Sequence, residues 1–280
     1  MEEYEEATET YDVVTVDKWE CPVDNGAPIL TMPNIPHALH GEGLQPRTIL
    51  GRTTWDHMRK ACYANADFKS EISGEEPPKG QLHAHELFSY DYAKQEGVFQ
   101  RCIALTKLEH DFIHSGRLLT LFNKDNPLYP KSYVLKVIEN GFKIISSYNK
   151  EHPDQEPLRC YATFLDALKI PRLSVEVASL ISIYNIKFYD ANIPRNKRWK
   201  GWHVIVGNKR YDSPYANQDD WEVAMRKRNE EEEVRNLKDP FSGKGAAAID
   251  ALLKIREETK IAGCKNGRLS KRKKEQKDEQ

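Results

Sequence analysis

No stretch of this 280-residue chain approaches the run of roughly 18 apolar residues that a membrane-spanning helix needs, so no membrane partner is expected. Met1 to Tyr11 is acidic and carries no apolar run, so it does not read as a signal peptide. Cysteine is scarce and scattered: Cys21, Cys62, Cys102, Cys160 and Cys264 are odd in number, and no two lie close enough for a thiolate metal knuckle. That argues against a disulfide framework and fits a reducing cytoplasm. A global charge of one sign is absent too, because 42 basic residues meet 43 acidic ones. Any affinity for a polyanion must therefore come from local patches. The chain has no P-loop, no G-x-G-x-x-G, no G-x-S-x-G and no H-E-x-x-H. Nucleotide hydrolysis, dinucleotide binding and zinc proteolysis are poor candidates.

The apolar fraction is 39% and the mean hydropathy −0.72, which describes a soluble protein with polar flanks around an ordinary core. Charge is unevenly spread. Glu2 to Asp12 holds acids and no base, whereas Lys265 to Gln280 is dominated by bases. A short extended piece is expected at Val13 to Val16, and turns between Pro33 and Pro46. Trp55, Met58 and Cys62 form one apolar stripe of a helix. Ser70 to Gly80 reads as a turn, Gln81 to Tyr90 and Val98 to Leu105 as strands, and Lys107 to Leu119 as a helix. Ser132 is read as the N-cap of a helix that turns Val134, Ile138, Phe142 and Ile145 inward. Helices are expected over Leu158 to Lys169 and through Leu173, Val177, Leu180, Ile181 and Tyr184. Strands are expected at Ile186 to Tyr189 and Trp202 to Val206, with Gly207-Asn208 as a hairpin turn. Asp219 or Asp220 opens a charged helix in which Glu231 and Arg235 can pair at i, i+4. A further helix is read over Ala246 to Ile261, before the basic tail.

Four of the nine histidines, His83, His85, His110 and His114, fall within 32 residues. On a strand, His83 and His85 share a face, and Glu86 points to the other unless the strand kinks. On a helix, His110 and His114 share a face at i, i+4. Neutral imidazoles so spaced can hold a divalent cation.

The run Gln81-Leu82-His83-Ala84-His85-Glu86-Leu87-Phe88-Ser89-Tyr90-Asp91, followed by Ile103 to Arg117, resembles the HNH endonuclease superfamily with its ββα-metal fold. The resemblance covers roughly residues 65 to 120. The flanks, including Asn34-Ile35-Pro36 and Trp55, resemble phage-type HNH-like proteins. It implies one divalent cation (Mg, Mn, Ni or Zn) held between strand and helix, and water attacking phosphorus. Carried over, His85 is base or metal ligand, Glu86 a catalytic residue or ligand, and His110 and His114 are metal ligands or phosphate contacts. His83 and Arg117 become phosphate contacts.

The departures from that pattern matter. Many relatives brace the fold with a structural zinc bound by two CxxC pairs. Here Ser70, Ser73, Thr106 and Glu109 stand at the four cysteine positions, and neutral hydroxyls do not replace thiolates. No structural zinc is therefore expected. Cys102 reads as a small buried hydrophobe.

Lys197-Arg198-Trp199-Lys200-Gly201-Trp202 mixes bases with tryptophans that can stack on bases and track phosphates. Lys197, Arg198 and Trp199 are the candidate nucleic-acid contacts here, against a reading as a solvated hairpin edge. The expected fold is α+β. An acidic, mostly disordered arm spans 1–30 and an HNH-like ββα domain spans 31–122. A helical extension with a β-hairpin follows over 123–228, and a charged helix with a basic tail over 229–280. Two functions remain open. One is a metal-dependent endonuclease acting on nucleic acid, DNA first, in the cytoplasm (the host's if phage-encoded). The other is a catalytically inactive HNH-like scaffold, a phage or mobile-element accessory protein that binds nucleic acid or a protein partner.

Overall fold

The computed structural model describes residues 11–40, 43–193 and 198–238. The fold is α+β, and the chain divides into two units, residues 1–221 and 222–280. The strands are β1 Val13–Val16, β2 Lys18–Trp19, β3 His83–Asp91, β4 Glu96–Leu105, β5 Cys160–Tyr161, β6 Phe188–Ala191, β7 His203–Val206 and β8 Lys209–Asp212. The α-helices are α1 Pro46–Ile49, α2 Arg52–Asn65, α3 Lys107–Ile113, α4 Ser115–Asn123, α5 Lys131–Glu151, α6 Ser174–Tyr184 and α7 Gln218–Lys238. In the second unit, described residues 222–238 continue α7. No helix among the described residues is long and apolar enough to cross a membrane.

The sheet that carries the histidines has the order β2-β3-β4-β7-β8. β3 and β4 form an antiparallel hairpin that pairs His83 with Leu105 and His85 with Ile103. The register slips at Leu87/Phe88, where Gln100 is the extra residue on β4. Alternation along β3 then divides two cores. Leu87, Ile103 and Leu105 pack with Phe112, Val134, Ile138 and Phe142. Phe88 and Tyr90 pack with Ala38, Leu39, Trp202 and Val204 on the other side. A smaller parallel sheet, β1-β6-β5, shares the first core through Cys160 and Phe188.

Several expectations hold. Val13–Val16 is a strand, and the Gly207-Asn208 turn joins β7 to β8, with Gly207 at φ 64°. Val134, Ile138, Phe142 and Ile145 are all fully buried. Others are corrected. The arm is structured from residue 11 on, because Ile29 and Leu30 plug the first core. The helix from Lys107 is two helices that meet at His114, whose ψ of 40° interrupts the α-conformation. Pro130, extended at ψ 160°, precedes α5 as its cap, so Ser132 already lies inside the first turn. In place of a helix over 158–169 there are the short β5, Cys160–Tyr161, and a 3₁₀ helix, Ala162–Lys169. The Arg235 side chain, the expected 246–261 helix and the terminal basic run lie outside the described residues.

Gly141 marks the closest approach of α5 to α3. A Cβ there would sit 2.2 Å from the Phe112 ring. That ring cannot retreat, since it stacks on Phe164 at 4.5 Å and meets Phe142 edge-on. Gly141→Ala gains up to about 1 kcal/mol of helix propensity but overpacks a filled core, at a cost of about 1–3 kcal/mol. The expected result is a lower midpoint in urea unfolding. A variant more stable than the wild type would contradict this packing.

Candidate metal centre

The site begins with the start of α3. Thr106 caps the helix, accepting the Glu109 amide on its hydroxyl, and the Glu109 side chain accepts the Thr106 amide in return. This capping box fixes the helix so that His110 and His114, one turn apart, both meet β3. The His85 ring lies 5.4 Å from that of His110 and 4.7 Å from that of His114, and the two helix rings are 4.6 Å apart. One ligand nitrogen from each of His85, His110 and His114 falls within 4.8 Å of the others. His83 stands beside them, its ring 4.9 Å from His110.

Burial sets the chemistry of the cluster. His85 is 1% exposed, and neither of its ring nitrogens has a hydrogen-bond partner. Nδ1 of His110 is buried too, with the Asp111 carboxylate 3.6 Å away as its nearest polar neighbour. Leaving such groups unmade is costly, of order 1–3 kcal/mol each, unless something absent from the polypeptide satisfies them. Burial, then the neighbouring imidazoles, push His85 well below the ordinary histidine range. Burial, His110 and Arg117 bring His114 down to about 3. Both rings are therefore neutral near pH 7 and hold lone pairs for a cation without first losing a proton. The donor set could hold a metal ion.

No family model, curated protein or solved structure matches this chain.

The remaining expected site residues divide by location. Arg117 is exposed, and its charge lies near enough to lower both His83 and His114. Glu86 does not join the three-histidine group. By the two-residue period of β3 it faces the side of Phe88 and Tyr90. Burial raises its carboxyl, and the charge of Arg47 partly offsets this. Trp199 packs on His37 and Trp221 at 6.0 Å each, beside an exposed Arg198. Lys197 lies outside the described residues.

Ser70, Thr106 and Glu109, three of the four positions compared with zinc-binding cysteines, do converge. Oε2 of Glu109 accepts the Ser70 hydroxyl at 2.7 Å, the Thr106 amide at 2.7 Å and the Thr106 hydroxyl at 2.8 Å. Ser70 Oγ in turn accepts the amides of Ile72 and Ser73, closing the turn. Ser73 itself is exposed, and its hydroxyl only accepts the Glu75 amide at 3.4 Å. Cys102 is half-buried rather than fully buried, with the Cys62 thiol as its hydrogen-bond neighbour.

Two groups that sequence reasoning passed over also reach the site. Asn34 ties the chain just after His114, donating to Ser115 and Thr163 at 3.0 Å each and accepting the Gly116 amide. Asp111, 3% exposed, sits directly behind His110. Its position next to a candidate ligand was the available signal. Asn34 entered only through the resemblance of its flank, since its bond to Ser115 acts from 81 residues away.

Proposed function

We propose that this protein is a divalent-metal-dependent, HNH-like endonuclease that hydrolyses phosphodiester bonds in nucleic acid, with β3, β4 and α3 as its ββα core. The observation that carries the reading is the pair of unpartnered, fully buried nitrogens on His85, facing the imidazoles of His110 on α3 and of His114 at the α3–α4 junction. His85, His110 and His114 hold the cation. When bound, the cation supplies positive charge to a phosphate and its leaving oxygen. Arg117, exposed and close enough to act on His83 and His114, clamps a neighbouring phosphate. His83, on the same face of β3 as His85 and beside His110, takes the proton of the attacking water, since burial lowers its pKa and leaves the ring neutral near pH 7; Glu86, on the other face of β3, is not placed to do so. Arg198 and Trp199 are further contacts for nucleic acid, away from the histidine cluster on the side of the second core.

The test is cleavage of supercoiled plasmid with Mg²⁺, Mn²⁺ or Ni²⁺ against a chelator. Metal-dependent nicking is expected in the wild type. His85→Ala and His110→Ala lose both nicking and metal binding. His83→Ala keeps metal binding and loses about 10²–10⁴ in rate, the usual contribution of a general base. Folded wild-type protein that cleaves under no metal overturns the nuclease reading and leaves an HNH-like scaffold that binds nucleic acid or protein.

A further inference from the structure

Asp111 is not a member of the three-histidine group, yet it is buried against one of them. Its Oδ2 accepts the Tyr133 hydroxyl at 2.7 Å and pairs with the Lys107 ammonium. Lys107 is itself held over the Tyr129 and Tyr133 rings, at 5.1 and 4.9 Å from their centroids. The carboxylate is thus pinned by one oxygen, and the other, Oδ1, faces Nδ1 of His110 at 3.6 Å. That nitrogen has no other partner. A carboxylate oxygen attracts an N–H and repels a lone pair. It therefore selects the His110 tautomer with the proton on Nδ1 and the lone pair on Nε2.

We infer that Asp111 is a positioning residue that fixes the tautomer and ring orientation of His110 for metal binding, with the Lys107 ammonium enough to aim its carboxylate. The inference rests on the metal-centre reading for its purpose, but not for its geometry. Histidine ligands commonly give their second nitrogen to a carboxylate in this way, and losing that partner weakens metal affinity about 10- to 100-fold. Here the carboxylate comes from the very next residue.

Asp111→Asn is the informative substitution. Lys107 and Tyr133 are donors and draw the amide oxygen to themselves. The amide NH₂ is then left facing Nδ1, which must accept, and the proton moves to Nε2. Long-range ¹H–¹⁵N correlation spectra of the metal-free protein at about pH 8, above the ordinary imidazole range, report the tautomer directly. The expected result is an Nδ1–H tautomer for His110 in the wild type and in Tyr133→Phe, and an Nε2–H tautomer in Asp111→Asn. Cobalt(II) titration, followed by its visible absorption, should show affinity reduced about 10- to 100-fold in Asp111→Asn and nearly unchanged in Tyr133→Phe. A wild-type His110 protonated on Nε2 overturns the inference without any variant being made. So does an Asp111→Asn protein that keeps the wild-type tautomer and cobalt affinity. If the tautomer shifts as expected but neither protein binds cobalt, the metal-centre reading fails and the positioning of His110 stands.

Discussion

Glu109→Ala should lower the unfolding free energy by about 3–5 kcal/mol, at the upper end of what single substitutions do. The reason is the number of buried donors that depend on one oxygen. Oε2 receives the Ser70 hydroxyl, the Thr106 amide and the Thr106 hydroxyl, and Ser70, Thr106 and Glu109 are all buried. Removing the carboxylate strands these donors away from water and deletes half of the capping box on α3. Glu109→Gln keeps an oxygen for part of the set and should cost about 1–2 kcal/mol. Ser73→Ala is the internal control. Its exposed hydroxyl accepts one long bond, so the change should stay within about 0.5 kcal/mol. Urea unfolding of the three variants checks the ladder. A Glu109→Ala protein within 1 kcal/mol of the wild type would show that the cluster is not a brace.

The same four positions show how far the sequence could be read. Compared with a zinc-binding pattern, Thr106-Lys107-Leu108-Glu109 is a lost cysteine pair. Taken as local chemistry, it is T-x-x-E at a helix start, the signature of a capping box. The second reading follows from neighbouring residues alone and was open from the start. The convergence of Ser70 on Glu109 was not, because it joins segments 39 residues apart. The histidine pairs were legible for the opposite reason. Each pair lies within one element, where the periods of strand and helix fix the shared face. Only their meeting across the hairpin needed the fold. The break at His114 escaped a periodicity argument because α4 resumes at once, its Leu118 amide still bonded to the His114 carbonyl. The burial of Ile29 and Leu30 escaped composition for a related reason. An acidic segment with few large apolar residues reads as solvated, yet those two are enough to plug a core.

Metal-free protein should lose stability steadily as the pH falls below about 6.5, and a bound divalent ion should oppose that loss near neutrality. In the unfolded chain His85 and His114 take up protons near the ordinary histidine value of about 6.5. In the fold, burial and then neighbouring charge hold His85 well below that and His114 at about 3. Between those limits the unfolded state binds more protons, so stability rises with pH, by up to about 1.4 kcal/mol per pH unit for each histidine. Above about pH 7 these two groups contribute no slope. An ion present at 100 times its dissociation constant adds about 2.7 kcal/mol to the native state, and this gain falls with acid because protons compete for the same nitrogens. His85→Leu separates the terms. It replaces two unpartnered buried nitrogens with apolar surface beside Leu87 and Ile103. The metal-free variant should therefore be more stable than the metal-free wild type, by about 1–2 kcal/mol. It should also lose one histidine's share of the acid slope and gain nothing from metal. Thermal unfolding from about pH 5 to 8, with chelator and with Mn²⁺ or Zn²⁺, measures all three effects. A flat profile for the wild type, with no shift on adding metal, would remove the basis for a metal centre at these histidines. The predicted pattern would instead mark His85 as a residue kept at the expense of stability, whose buried nitrogens are unfavourable until a cation binds them.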